Sequence, residues 1–306
     1  MGKVMYIVSD LHGCGEVYDS IMEYIERKAD KFDEVDFYIN GDLVDYGPDS
    51  YRIFDDVRRR IFENGKIKIH YVGGEHELLM YRALLEFKSG NCGKYFHDWM
   101  NNGGEQTLNG LVDSEDIYEE LGKIIEFLEN LEVYHKFSFE FNGKPMLLVH
   151  GKAPHYVYDD CHLKIADNNR EVEDAVSLCP EGRTFIGNAA NCSQIGKKGY
   201  FTIVGHTPLF KGDKPYKYHS RGNHLNQIVA FSNGLSFGSS DKIKASYILD
   251  MRADLDRSRK ESDSCAPRIS NTEIDCVHIH RTNSCVDYSS EARSGGISIG
   301  GTRTVG

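Results

Sequence analysis

Asp10-Leu-His12, Gly41-Asp42-Leu-Val-Asp45, Gly74-Glu75-His76-Glu77, Val149-His150 and Gly205-His206 follow one another along the chain, each just after a short apolar run. Carboxylates and imidazoles are the side chains that hold divalent cations. One Asp-x-His pair arises by chance in many proteins, but five such pieces in order point to metal-dependent phosphate ester chemistry. Two divalent ions a few ångströms apart can clamp a phosphate, lower the pKa of a bridging water and stabilise charge that develops in line. Such a pair needs a shared carboxylate, and Asp42 is the natural bridge. Asp10 and His12 suit one ion. His150 and His206 suit the other, with a further oxygen ligand expected from the third loop. His76 stands where a general acid would protonate the leaving alcohol. Asp45, on the loop of the bridging carboxylate, would orient that imidazole and favour its charged form.

The elements that must position these residues are legible as periodicities. Val4–Val8, Val35–Ile39 and Ile67–Val72 read as buried strands ending at the first three motifs. Between them, 16–29 and 51–62 carry apolar residues at helical spacing. Strand, ligand-bearing loop and helix in repetition predict a largely parallel sheet with its site at the carboxyl ends of the strands. Leu78–Phe87 and Ile117–Leu131 predict helices of an insertion capping one side, and the stretch 87–106 reads as loop that sets the depth of the pocket. Phe137–Phe141 and Met146–Val149 flank Asn142-Gly143, a hairpin signal. Phe201–Val204, Gln227–Phe231 and Ala245–Leu249 read as strands of a second sheet. The expected architecture is an α/β two-sheet sandwich flanked by helices, with a helical cap insertion.

Composition narrows the function classes. The chain has 306 residues, 40% hydrophobic, enough for one large domain. A net charge of -11 argues against a nucleic-acid binder, yet bound cations would still admit an anionic substrate. No apolar stretch is long enough to span a bilayer. The opening residues run straight into a strand and a site motif, so no cleavable leader is expected, and Gly2 lacks the context for myristoylation. The eight cysteines form no framework, which predicts reduced thiols in a cytoplasmic protein. From Arg252 the chain becomes charged and aperiodic, then rich in Gly, Ser and Thr. The expectation is a phosphoesterase domain over 1–251 and a disordered tail over 252–306. Cys265, Cys276, His278, His280 and Cys285 in that tail match no zinc-finger spacing. Oligomeric state is left open.

Asp-Leu-His-Gly, Gly-Asp-Leu-Val-Asp-Tyr-Gly-Pro-Asp-Ser, Gly-Glu-His-Glu, Val-His-Gly and Gly-His-Thr-Pro resemble the calcineurin-like metallophosphoesterase superfamily, most nearly its short bacterial phosphoprotein phosphatases. The resemblance covers about residues 3–250. It implies Ser/Thr, sometimes Tyr, phosphatase activity on phosphoproteins or small phosphate esters, with two divalent ions drawn from manganese, iron and zinc. It places Asp10, His12 and Asp42 on the first ion, Asp42, Glu75, His150 and His206 on the second, and Asp45 with His76 as the acid dyad.

Three positions depart from the pattern. Glu75 stands where the family has Asn, so a neutral amide oxygen becomes a longer, charged carboxylate. Tyr46 stands where phosphoprotein phosphatases carry an Arg that grips phosphate, and a phenol supplies no charged fork. Asn188 falls where relatives have a second phosphate-binding Arg, for which Arg183, Lys197 or Lys198 would have to compensate. These departures keep two alternatives in view: a hydrolase of dinucleoside polyphosphates or phosphodiesters, and a degenerate phosphatase that binds without turnover.

Overall fold

The computed structural model describes residues 3–63, 65–112, 117–141, 144–176, 197 and 199–206, and beyond these the backbone of strands between 210 and 304. The chain opens with β1 (Lys3–Val8), α1 (Gly15–Ala29), β2 (Glu34–Asn40), α2 (Ser50–Ile61) and β3 (Ile67–Val72). The three strands pair in parallel, Val8 beside Ile39 and Asn40 beside Val72, so their carboxyl ends are level. Parallel strands are covered on both faces, which is why β1 and β2 read as apolar runs rather than as alternation. Val4, Tyr6 and Val8 pack into the larger core with residues of α1 and α2, while Met5 and Ile7 face the other way.

An all-helical stretch follows, comprising α3 (Glu75–Lys88), α4 (Lys94–Asn101), α5 (Gly104–Val112) and α6 (Ile117–Glu129). α4 occupies part of the span expected to be loop. Glycines bound it on both sides, which masks its amphipathic pattern, and burial of Trp99 and packing against α3 hold it helical. The hairpin of β4 (Tyr134–Phe141) and β5 (Lys144–Val149) forms with Phe141 opposite Lys144; Asn142 and Gly143 lie outside the described residues. Two short helices, α7 (Leu163–Ala166) and α8 (Arg170–Val176), precede β6 (Phe201–Val204).

The remaining strands are β7 (Phe210–Lys211), β8 (Lys214–Pro215), β9 (Gln227–Ala230), β10 (Ala245–Ala253), β11 (Thr272–Thr282), β12 (Cys285–Glu291) and β13 (Arg303–Thr304). Two main sheets result, with orders β13-β12-β11-β10-β1-β2-β3 and β4-β5-β6-β9. They pack face to face through Met5, Ile7, Tyr38 and Val72 from the first sheet and Phe137, Met146, Leu148, Phe201 and Ile203 from the second. Burying each of these side chains contributes roughly 1.5–3 kcal/mol. The helix-flanked two-sheet sandwich is therefore the observed fold.

One expectation needs correction. β10 pairs antiparallel with β1, Ile7 opposite Leu249, so it belongs to the first sheet and not the second. A strand's own pattern carries no information on which sheet edge it joins. Within the span read as a tail, β11 pairs with β10 and β12 with β11. The edge of β10 offers unpaired backbone groups, and the β-branched residues of Ile274-Asp-Cys-Val-His-Ile279 suit a strand there.

Candidate active site

The site lies where the loops after β1, β2, β3, β5 and β6 converge. Backbone bonds lace these loops together: Asp10 N–H donates to Gly41 O (3.0 Å), His12 N–H to Asp42 O (2.9 Å) and Gly205 N–H to His150 O (2.9 Å). Asn40, at the end of β2, joins the two sheets by donating from Nδ2 to Val149 O (3.2 Å). Among the described residues, the non-glycine positions with positive φ are Asp10 (59°), His12 (43°), Asp42 (52°), Asp45 (71°), Tyr46 (62°) and His206 (67°). Every one belongs to a motif singled out in the sequence. Holding an ordinary residue there costs about 1–3 kcal/mol, so the surroundings must over-determine each position. Glycine is needed beside them. A Cβ on Gly74 would lie 2.5 Å from both Asp42 N and Oδ1, and one on Gly41 (φ 74°) would lie 2.5 Å from His150 Nδ1.

Two groups of ligand atoms meet here: His12, Asp42 and His76, and Asp42, His150 and His206. Asp42 is common to both. Its Oδ2 lies 3.0 Å from His150 Nε2, 3.7 Å from His206 Nδ1 and 3.8 Å from His12 Nε2. The outer nitrogens of two imidazoles are already committed. His12 Nδ1 lies 3.2 Å from Val44 O, and His150 Nδ1 lies 2.7 Å from Asn40 O. A backbone carbonyl that accepts from one ring nitrogen fixes the tautomer and turns the other lone pair inward, as metal-ligating histidines require. The donor set of buried carboxylate and pre-oriented imidazoles thus fits a pair of divalent cations.

Electrostatics agree. Burial, reinforced by the neighbouring His76, pushes His12 down to about 3, leaving its ring neutral. Burial would lower His150 as well, but the Asp42 charge and hydrogen bond outweigh it and raise the imidazole to about 10. Asp42 is held well below the usual carboxylate range because His150 and His76 overcome the cost of its burial. Burial, together with the nearby Asp42 charge, raises Asp10. A divalent ion bound here would displace the proton that Asp42 favours on His150.

Asp10 Oδ2 accepts from Ser9 Oγ and from His206 N–H (3.2 Å). Glu75 opens α3 at the half-buried rim, its Oε2 3.7 Å from His206 Nε2. His76 is buried, with Nδ1 2.8 Å from Asp45 Oδ2 and its backbone N–H donating to Asp42 Oδ1 (3.0 Å). Burial opposes its charge, but Asp42 and the Asp45 hydrogen bond prevail and raise it to about 9. Tyr46, 37% exposed, sets its ring edge-on to His12 and His76, with centroids 5.3 and 5.2 Å away. Lys197 donates its ammonium to His155 O. Asn188, Arg183 and Lys198 lie outside the described residues.

Sequence reasoning missed three supporting side chains. Glu77, fully buried, accepts from the backbone N–H of Asp42, Leu43 and Gly74 and from Tyr71 Oη. Only its place in Gly-Glu-His-Glu signalled it. Trp99 and Thr107 both reach Asp45 from the helical insertion, across a separation that no local pattern reveals.

The sequence profile of the calcineurin-like phosphoesterases matches residues 4–237. No curated protein sequence matches the chain. Similar solved structures include a hypothetical protein of Pyrococcus horikoshii, at 12% identity and TM-score 0.45, covering 81% of this chain and 83% of that one. A protein serine/threonine phosphatase of Saccharomyces cerevisiae aligns at 11% identity and TM-score 0.46, covering 81% and 72%. A cold-active protein tyrosine phosphatase of a psychrophilic Shewanella aligns at 14% identity and TM-score 0.38, covering 83% and 78%. No described helix is long and apolar enough to cross a membrane.

Proposed function

Because the chain belongs to the calcineurin-like phosphoesterase family, we propose that it is a metal-dependent phosphomonoesterase, and within that class a protein Ser/Thr phosphatase of the bacterial type. The observation that carries this reading is the one Asp42 carboxylate common to the groups His12–Asp42–His76 and Asp42–His150–His206, with His76 also paired to Asp45. Asp10, His12 and Asp42 would hold one divalent ion, and Asp42, Glu75, His150 and His206 the other, with manganese, iron or zinc as candidates. Bound there, such ions neutralise phosphate charge and acidify water.

The chain's own residues do the rest. Asp45 engages His76 Nδ1, so the ring presents Nε2 to the leaving oxygen, and its raised pKa keeps a proton available near neutrality. The hydrogen bond from His76 N–H to Asp42 Oδ1 ties this acid to the bridging carboxylate. Free thiols at Cys14, Cys92 and Cys161 fit a reducing, cytoplasmic setting.

The test is hydrolysis of para-nitrophenyl phosphate and of a phosphoserine peptide by chelated protein reloaded with manganese. A rate that vanishes on chelation and saturates on reloading supports the reading. Binding of the peptide without product would favour a non-catalytic binder. Tyr46 favours one second reading, since an exposed, uncharged aromatic at the mouth suits a nucleobase. Faster turnover of diadenosine tetraphosphate than of the peptide would select it.

Glu75 gives a sharper prediction. Its extra charge lowers the electrophilicity of the pair it would join. Glu75→Asn should raise kcat on para-nitrophenyl phosphate by about tenfold, the equivalent of about 1.36 kcal/mol. A fall in kcat would show that this site is built for the carboxylate.

A further inference from the structure

We propose that Trp99 and Thr107, from the helical insertion, are positioning residues for the acid dyad, fixing the Asp45 carboxylate so that His76 meets the leaving oxygen. The inference rests on the phosphoesterase reading above.

Asp45 is completely buried. Its Oδ2 faces His76 Nδ1 at 2.8 Å, and among the described residues the other side-chain partners of its carboxylate come from the insertion. Trp99 Nε1 donates to both oxygens at 3.0 Å. Thr107 Oγ1 donates to Oδ1 at 2.6 Å and accepts from Asp45 N–H at 3.1 Å. One hydroxyl therefore holds the backbone and the side chain of Asp45 together, at a residue whose φ of 71° needs such support.

The insertion is itself seated against the dyad loop. Gly103, between α4 and α5, accepts from Tyr46 N–H at 3.1 Å. A Cβ on Gly104 would lie 2.6 Å from the Trp99 ring, so the indole rests on bare backbone. Trp99 is fully buried, and its single polar atom is spent on Asp45. A carboxylate with one partner can rotate about its terminal torsion, whereas donors on three sides leave one orientation. The imidazole it holds then has one direction in which to deliver a proton.

Such a role has a signature that general stability lacks. A weakly acidic leaving group needs a proton as it departs, and a strongly acidic phenol does not. Trp99→Phe and Thr107→Val should each lower kcat on phenyl phosphate by roughly 10- to 100-fold, part of the gain that a positioned acid supplies. On dinitrophenyl phosphate the same variants should stay within about threefold of the native chain, because no acid is required there. Thr107→Ser keeps the hydroxyl and should restore the rate on phenyl phosphate. If Trp99→Phe fails to fold, the Thr107 pair carries the test alone. An equal loss on both esters, or no rescue by Ser, would overturn the inference while the native activity upholds the phosphoesterase reading. A native chain that turns over neither ester with any metal would overturn both.

Discussion

Asp42→Asn should lower kcat for aryl phosphate hydrolysis by at least about 10³-fold, some 4 kcal/mol at about 1.36 kcal/mol per decade. The exchange is nearly isosteric. Oδ1 can still accept from His76 N–H, so the start of α3 keeps its tie to the β2 loop. What changes is Oδ2, which faces His150, His206 and His12 within 3.8 Å. An amide NH2 there meets ring nitrogens with donors instead of an acceptor and removes the charge common to both ligand groups. Metal stoichiometry, measured after dialysis, should fall below two per chain, with far-ultraviolet circular dichroism unchanged. A variant that retains two ions and most of its rate would sink the bridging role.

Glu77→Ala should destabilise the protein by about 3–5 kcal/mol, the usual cost of stripping the partner from buried polar groups. Four donors point at this carboxylate: Asp42 N–H and Leu43 N–H at 2.9 Å, Gly74 N–H at 2.7 Å and Tyr71 Oη at 2.7 Å. Burial and the nearby Asp42 charge push Glu77 up, and the donors oppose them by favouring the ionised form. Deletion leaves all four groups buried without an acceptor. Since about 1 kcal/mol lowers Tm by roughly 2–4 °C in domains somewhat smaller than this, the melting temperature should drop by about 10 °C. Tyr71→Phe, which removes one donor, should cost far less. A shift of Glu77→Ala no larger than that of Tyr71→Phe would mean that the β2 and β3 loops are held by other contacts.

The parts of this architecture that were readable were those encoded locally. β1, β2 and β3 are covered on both faces, so each stands out as an apolar run, and the ligands follow at its end. In the structure His12, Asp42, His76, His150 and His206 lie together, with Asp45 on His76 and Asp10 on the His206 N–H. What escaped was set by contacts between distant segments. Glu77 looks like an ordinary helix-start acid until the donors of two loops converge on it. Trp99 lies 54 residues from the carboxylate it serves, within the stretch 87–106 read as loop, and Thr107 lies 62. β10 has the apolar character of either sheet, and only its pairing with β1 decides between them.

Trp99 is the chain's sole tryptophan, and its indole N–H sits on the Asp45 carboxylate in a fully buried site. The tryptophan fluorescence of this protein, excited selectively over its 18 tyrosines, is therefore a single-probe signal from beside the acid dyad, with no label required. Emission from the folded chain reports whether the helical insertion is seated. Quenching or a spectral shift on adding manganese or a phosphate ester then gives occupancy directly, in binding titrations and in stopped-flow mixing alike.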